Sequence, residues 1–191
     1  MPRPRRHDPQ RHAARVVLRA PVAADRDEYL ALRDASREHL REWEATPPDG
    51  MDVFGPQVFD RFLASAASET SHRYLVCLVS DGRIAGQVSL SNLTRWPFLS
   101  CTLGYWIGAA FARQGLMREA LILAIGKAFG EFGLHRVEAN IVPENAASKA
   151  LVKSLGFRFE GLAKRYLHIN GKWRDHERWS LTAEEIPGLP V

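Results

Sequence analysis

The sequence predicts a mixed α/β domain of the α+β kind, a single twisted mixed sheet with helices on its flanks. Three observations predict it. Strand-like and amphipathic runs follow one another in the order β, α, α, β, β, β, α, β, α, β, β. Two dipeptides with hairpin chemistry, Asp81-Gly82 and Asn170-Gly171, sit between β-type runs. Other strand-like runs are separated by helix-length segments, as crossover connections require. A chain of 191 residues buries about 70% of its unfolded surface as one domain and leaves little room for a second.

Arg15 to Ala20 alternates, carries β-branched residues and ends at Pro21, so it reads as a strand. Asp25 to Glu44 sets Tyr29, Leu32, Ser36 and Leu40 about one turn apart and reads as a helix. Thr46 to Pro56, with Pro47, Pro48, Gly50 and Gly55, is a loop long enough to face a substrate. Phe59, Phe62, Leu63 and Ala66 mark a short helix. Arg73 to Val79 and Arg83 to Leu90 form a hairpin through Ser80-Asp81-Gly82, and Cys101 to Ile107 extends it. Gln114 to Phe132 places Leu121, Ala124, Ile125, Ala128 and Phe132 on one helical face. Arg136 to Ile141 is a strand, and Asn145 to Leu155 is a helix stopped by Gly156. Phe157 to Ile169 and Lys172 to Leu181 close the chain as a second hairpin.

The sequence pI is about 9.3, which invites a nucleic-acid partner, but the charge is local. Residues 1–15 hold five arginines against Asp8 and account for the whole net charge of +4. The expected division is a basic, unstructured tail at 1–14, one domain at 15–185 and a short tail at 186–191. The basic tail is expected to be a solvated leader, with weak RNA or ribosome contact as its functional alternative. No run approaches the roughly 18 apolar residues of a membrane span, and no apolar segment of a secretory signal follows the arginines. Cys77 and Cys101 lack ligand or redox spacing, so neither a metal nor a disulfide is expected, and a cytoplasmic setting fits.

Chemistry concentrates after residue 100. Gly104-Tyr105-Trp106-Ile107-Gly108 followed by Arg113-Gln114-Gly115-Leu116-Met117-Arg118 reads as a strand feeding a helix through a tight turn. A helix N-terminus offers unpaired N–H groups and a positive dipole end, which together suit phosphate. Glycine at 115 permits close backbone approach. A P-loop and a dinucleotide fold are excluded, since neither Gly-Lys-Ser/Thr nor G-x-G-x-x-G occurs there. With no G-x-S-x-G elbow and no evident base beside either cysteine, no covalent enzyme intermediate is expected.

These segments are followed by His135-Arg136-Val137-Glu138-Ala139-Asn140, by Asn145 through Ser148 to Leu155-Gly156-Phe157, by Glu160-Gly161, and by Gly171-Lys172-Trp173-Arg174-Asp175-His176. In this order and spacing they resemble the GNAT-superfamily N-acetyltransferases, specifically the ribosomal-protein-alanine (RimJ/RimL-type) group, over Val17 to Leu181. The resemblance implies the GNAT fold, with acetyl-CoA bound between two splayed central strands containing Tyr105 and Ala139. It assigns cofactor contacts to Trp106, Ile107 and Gly108, whose backbone N–H groups would also hold an oxyanion, and to Ala112 through Arg118 and Asn145. The family's Q/R-x-x-G-x-G/A loop maps onto Ala112 to Met117, departing from it at both of those ends. Ser148 is implied as the donor to the leaving thiolate, with Tyr166 as the alternative, because Val152 occupies the place where many relatives carry a tyrosine. Glu160 or Glu44 is implied as the proton acceptor, and Trp43, Glu44, Tyr105 and Asn140 as acceptor contacts. Asp175-His176 is expected to be structural.

The acceptor implied is a protein N-terminus, a ribosomal protein's first among them. At pH 7 an α-amine is roughly 10–15% neutral and a lysine amine only about 0.04%, so a modest base suffices for the former. The alternatives are a small amine (an antibiotic, a polyamine or an amino acid) and a non-catalytic acetyl-CoA or ribosome binder. The chain is expected to be a monomer or a homodimer.

Overall fold

The computed structural model describes residues 14–47 and 50–186. The expected basic tail therefore lies, Ala14 excepted, outside the described residues. In chain order the elements are β1 (Val16–Arg19), α1 (Arg26–Ala35), α2 (Arg37–Leu40), α3 (Gln57–Ala64), β2 (Ala67–Ser68), β3 (Ser71–Leu78), β4 (Ile84–Thr94) and β5 (Ser100–Ile107). They continue with α4 (Leu116–Gly126), β6 (Arg136–Ile141), α5 (Ala146–Ser154), β7 (Arg158–Ile169) and β8 (Lys172–Thr182). The strands make one mixed sheet, β1-β3-β4-β5-β6-β8-β7, with β2 on β3. All neighbours are antiparallel except β5 and β6.

Both hairpins form where the turn dipeptides stand. Asn170 and Gly171 take φ of +47° and +75°, the pair of positive values that a two-residue turn matched to strand twist requires. The helix expected over 25–44 is broken. Ser36 leaves helical geometry (φ −105°, ψ 7°), and its buried hydroxyl accepts the Ala109 N–H at 3.0 Å, tying the helix to the chain just past β5. The chain then continues as α2 and a 3₁₀ turn at Arg41–Trp43. Likewise the expected 114–132 helix is α4 followed by a wide π turn at Lys127–Glu131, a form that recurs at single turns within helices.

Pleating sorts side chains to two faces. Along β6, Val137, Ala139 and Ile141 are buried, whereas Arg136, Glu138 and Asn140 are half-buried. The first set joins Leu103, Trp179, Leu181 and the α4 residues Ala120, Leu121 and Ala124 in the larger core, with α5 packed there through Val152. On the opposite face Tyr29, Phe59 and Phe62 of α1 and α3 pack on Leu75, Cys77 and Ile84, with Trp106 against them. Tyr29 stacks on Phe62 at 5.2 Å.

The functional opening lies between β5 and β6. They pair only at Ser100–Arg136, Cys101–Val137 and Thr102–Glu138. Beyond Thr102, β5 stays with β4 as far as Ile107, and β6 stays with β8 as far as Ile141. Gly86 lets β5 lean away from β6: a Cβ there would stand 2.3 Å from the Trp106 carbonyl oxygen, so only glycine admits so close an approach of the two strands.

Candidate active site

Where β5 leaves β6, a strand edge is left without a partner strand. Gly108 donates its N–H to the Ala85 carbonyl at 2.8 Å, and strand alternation turns the Trp106 and Gly104 N–H groups the same way. The N–H groups of Tyr105 and Ile107 therefore face the opening. This corrects the expectation for Gly108, whose donor is already committed and cannot hold an oxyanion; Ile107 fits that task. The Trp106 indole turns away, edge-on to Tyr29 at 5.6 Å, so only its backbone borders the opening.

Beside the opening, Gly115 takes the left-handed φ of +78° and precedes α4. The first N–H groups of α4, from Leu116, Met117 and Arg118, lack intrahelical partners by helix geometry and point out of its N-terminus. The Leu116 and Met117 side chains are buried in the core, which explains how a large residue is accommodated at 117: it packs inward and leaves the loop's outer surface to backbone. Ala112 is extended, Arg113 is exposed at φ +62°, and Gln114 closes the turn onto the Ala110 carbonyl at 2.9 Å. Arg118 reaches the Ser154 carbonyl at 3.4 Å, spanning α4 and α5. Arg15, counted with the basic residues of the tail, instead pairs with Glu119 at 2.5 Å, and its guanidinium stands beside Gly115. A glycine turn, a helix N-terminus and arginines at its edge fit a pyrophosphate.

On the same face, Asn145 caps α5 by accepting the Ser148 N–H at 3.0 Å. The cap fixes Ser148 in the first turn, where its Oγ meets the Tyr105 hydroxyl at 2.5 Å. Burial pushes the Tyr105 phenol up to about 12, so it stays protonated at neutral pH and can donate to Ser148. Tyr166 lies elsewhere, tilted over His176 at 5.7 Å, on the face opposite Ser148. The structure thus joins Ser148 to Tyr105 and not to Tyr166.

The opposite face holds the remaining candidates. Glu44 accepts from Arg33 at 2.8 Å, and Arg33 is 2% exposed. That guanidinium also donates to the Val53 carbonyl at 2.7 Å and stacks on the rings of Phe54 and Trp106 at 4.9 and 5.0 Å. Trp43 is half-buried on the 3₁₀ turn just before Glu44. The segment after Trp43 is fastened to the β7–β8 turn: Ala45 bridges Ile169, Asn170 donates to the Glu44 carbonyl at 3.0 Å, and Gly171 donates to Thr46 Oγ1 at 2.7 Å. Asn140 lies on this face of β6 beside the opening. His176 is also here, buried; burial lowers its pKa, and its Nδ1 lies 3.1 Å from the Arg174 carbonyl, an acceptor only, so Nδ1 carries the proton. Asp175 accepts the Arg165 N–H at 2.8 Å, pinning the irregular stretch of β7.

Glu160 stands apart from these groups. Its carboxylate is taken by Arg136 and by Ser180 Oγ, and Arg136 lies at the closed end of β6, about 13 Å from Asn140 by strand rise. The Arg136 hydrogen bonds, with Ser180 and Arg158 adding to them, hold its pKa down at about 2 against the opposing effect of burial. Such a group is a weak proton acceptor at neutral pH. A carboxyl whose pKa falls on folding stabilises the fold above its unfolded value and loses that contribution as pH drops through its folded value. Glu160→Gln is therefore expected to lower stability at pH 7, with the gap to wild type closing between about pH 4.5 and about pH 2. Urea melts across that window check it; a gap independent of pH would rule out the ion pair as its cause.

Residues 15–158 match the family model for the acetyltransferase (GNAT) domain. The chain belongs to the GNAT acetyltransferase family. It is 28% identical over 164 residues to the probable N-acetyltransferase YjcK of Bacillus subtilis, covering 85% of this chain and 91% of that protein. It is 44% identical over 109 residues to the [ribosomal protein uS5]-alanine N-acetyltransferase of Escherichia coli, covering 56% of each chain. The structure of Mycobacterium smegmatis RimJ in complex with CoA-disulfide superposes with a TM-score of 0.84 at 33% identity, over 91% of this chain and 85% of that one.

In a GNAT enzyme the acetyl donor is acetyl-CoA, and the protein is an N-acetyltransferase. The open strand edge of β5, the Gly115 turn and the α5 cap together fit that cosubstrate. Sequence reasoning missed Arg33, although its signal was present: it stands four residues after Tyr29 on the buried face of α1. No helix among the described residues is long and apolar enough to cross a membrane.

Proposed function

We propose that this chain acetylates the α-amine of a protein N-terminus, a ribosomal protein's being the leading candidate, and that the acetyltransferase domain spans 15–185. One observation carries the reading: on the face of the sheet opposite Ser148, Glu44 is a partly exposed carboxylate held by one arginine, Arg33, whereas the carboxylates farther from the opening are bound up with arginines of their own. Glu138 is neutralised by Arg136 and Arg178 at 2.8 and 2.9 Å, and Glu160 by Arg136. A monocationic α-amine suits one carboxylate, whereas the further ammonium groups of a polyamine would find Glu138 and Glu160 already paired with arginine. The name of the Escherichia coli relative supports the same class of acceptor.

In this reading the neutral amine nitrogen attacks the thioester carbonyl carbon, and the Ile107 N–H stabilises the oxygen as charge develops on it. The C–S bond breaks, Ser148 Oγ gives its proton to the departing sulfur, and Tyr105 replaces that proton through their hydrogen bond. Glu44 attracts the ammonium form and takes the proton that the amine sheds. Thiol release with peptides beginning in Ala or Ser, an α-blocked lysine peptide and spermidine tests the proposal. Turnover confined to the free α-amine peptides is expected; turnover of spermidine alone would overturn it.

A further inference from the structure

Among the described residues, three buried side-chain polar atoms have no hydrogen-bond partner: Arg33 Nε, Asn140 Oδ1 and Arg178 Nε. The first is enclosed between aromatic rings. The other two belong together, because Asn140 and Arg178 are direct cross-strand partners of β6 and β8, with side chains on the same face. One is an acceptor and the other a donor. Burying either without a partner is costly, and the Arg178 guanidinium is prevented from turning away because its terminal nitrogen is held by Glu138 at 2.9 Å. Both residues remain partly exposed, and Asn140 stands two residues past the last β5–β6 pair, at the edge of the opening.

We infer that Asn140 and Arg178 form a subsite for the first peptide unit of the acceptor, Asn140 Oδ1 accepting its N–H and Arg178 Nε donating to its C=O. The inference rests on the reading of the acceptor as an α-amine peptide and names the feature by which that peptide is told from other amines. A trans peptide unit carries one donor and one acceptor on opposite edges, the complement of an acceptor and a donor that flank it. A protonated polyamine offers donors only and would leave Arg178 Nε–H unmet. In an α-amino acyl chain, two bonds separate the attacking nitrogen from the carbonyl carbon, so an amine at the opening brings its first peptide unit to the neighbouring β6 and β8 positions. The Asn140 carboxamide meets it by turning about χ2, a broad torsion for this side chain.

The test uses the full-length enzyme with acetyl-CoA, an alanyl peptide, and the matching depsipeptide in which an ester replaces the first peptide unit. Wild type is expected to prefer the peptide by about tenfold or more in kcat/KM, the scale of a lost hydrogen bond in a site built to make it. Asn140→Leu is expected to lose that factor on the peptide and little on the depsipeptide, so that the preference collapses toward one. Arg178→Lys, which keeps the charge for Glu138 but removes Nε, is expected to lower kcat/KM on both acceptors, because the ester keeps the carbonyl, and to leave the peptide preference standing; Asn140→Ala serves if the leucine variant folds poorly. Equal losses on both acceptors in the Asn140 variants, a collapsed preference in Arg178→Lys, or no wild-type preference, would overturn the subsite while leaving an α-amine acetyltransferase intact. Absence of turnover on any peptide would instead overturn the parent reading.

Discussion

Ser148→Ala is expected to lower kcat by about 100-fold or more, the usual range for a positioned proton donor, with KM for acetyl-CoA nearly unchanged. The leaving sulfur needs a proton, and Ser148 Oγ, fixed by the Asn145 cap and joined to Tyr105, is the hydroxyl poised to give it. Tyr105→Phe is expected to cost less, because Ser148 keeps its own proton and loses only resupply. The double variant should match Ser148→Ala alone, since groups in one relay are not additive. As Tyr105 titrates only at about 12, its loss should leave the pH profile of kcat unshifted between about pH 6 and pH 10. Steady-state kinetics of the three variants with one peptide acceptor decides it: additive losses, or a Ser148→Ala enzyme of full activity, would remove the hydroxyl pair from the chemistry.

The second large effect concerns stability. Glu44→Ala is expected to destabilise the fold by about 3 kcal/mol, because it leaves a charge in the interior without its counter-ion. In a protein of this size that lowers Tm by roughly 6–12 °C. Arg33→Met is expected to cost less, although it deletes the same ion pair. The difference arises from burial: the Glu44 side chain is 22% exposed and can be hydrated when abandoned, whereas that of Arg33 is 3% exposed and cannot. Stacking on Phe54 and Trp106 and the bond to Val53 keep the Glu44→Ala loss from growing larger. Melting curves of the two variants at neutral pH provide the comparison. Equal losses, or a larger one for Arg33→Met, would contradict the assignment of the cost to the orphaned guanidinium.

Periodicity and turn chemistry made most of the sheet legible in the sequence. β6 emerges with the bounds read from its alternation, and both hairpins sit on their Asp-Gly and Asn-Gly turns. The Gly156 stop after α5 takes the left-handed φ of +89°, as its position suggested. What stayed hidden were contacts between segments far apart in the chain. The break at Ser36 is set by a hydrogen bond to Ala109, and a local helical pattern contains no trace of it. Leu32 looked like the inward residue of α1, yet Arg33 is the buried one, because Glu44 and the Val53 carbonyl meet its charge there. Glu160 looked like a base in isolation, but Arg136 and Ser180 occupy its oxygens. Spacing revealed the order of Gly115, Asn145 and Ser148; the partnership of Ser148 with Tyr105 depends on the opening of the sheet beyond Thr102, which only the three-dimensional pairing supplies.

The attachment of residues 44–46 to the turn between β7 and β8 also bears on how the protein is made. β7 reaches the sheet only through β8, which inserts between it and β6, so in a chain emerging from the ribosome residues 44–46 are without their partners until the last hairpin has been made. Before that point the Gly115 turn and α5 are already in the chain, but Trp179 and Leu181 of β8, which complete the core beneath α5, are not, and neither is the wall facing the amine. The final hairpin thus completes both sides of the cleft at once, and a chain released before β8 would lack the floor beneath its acetyl-donor side together with the surface that faces the amine.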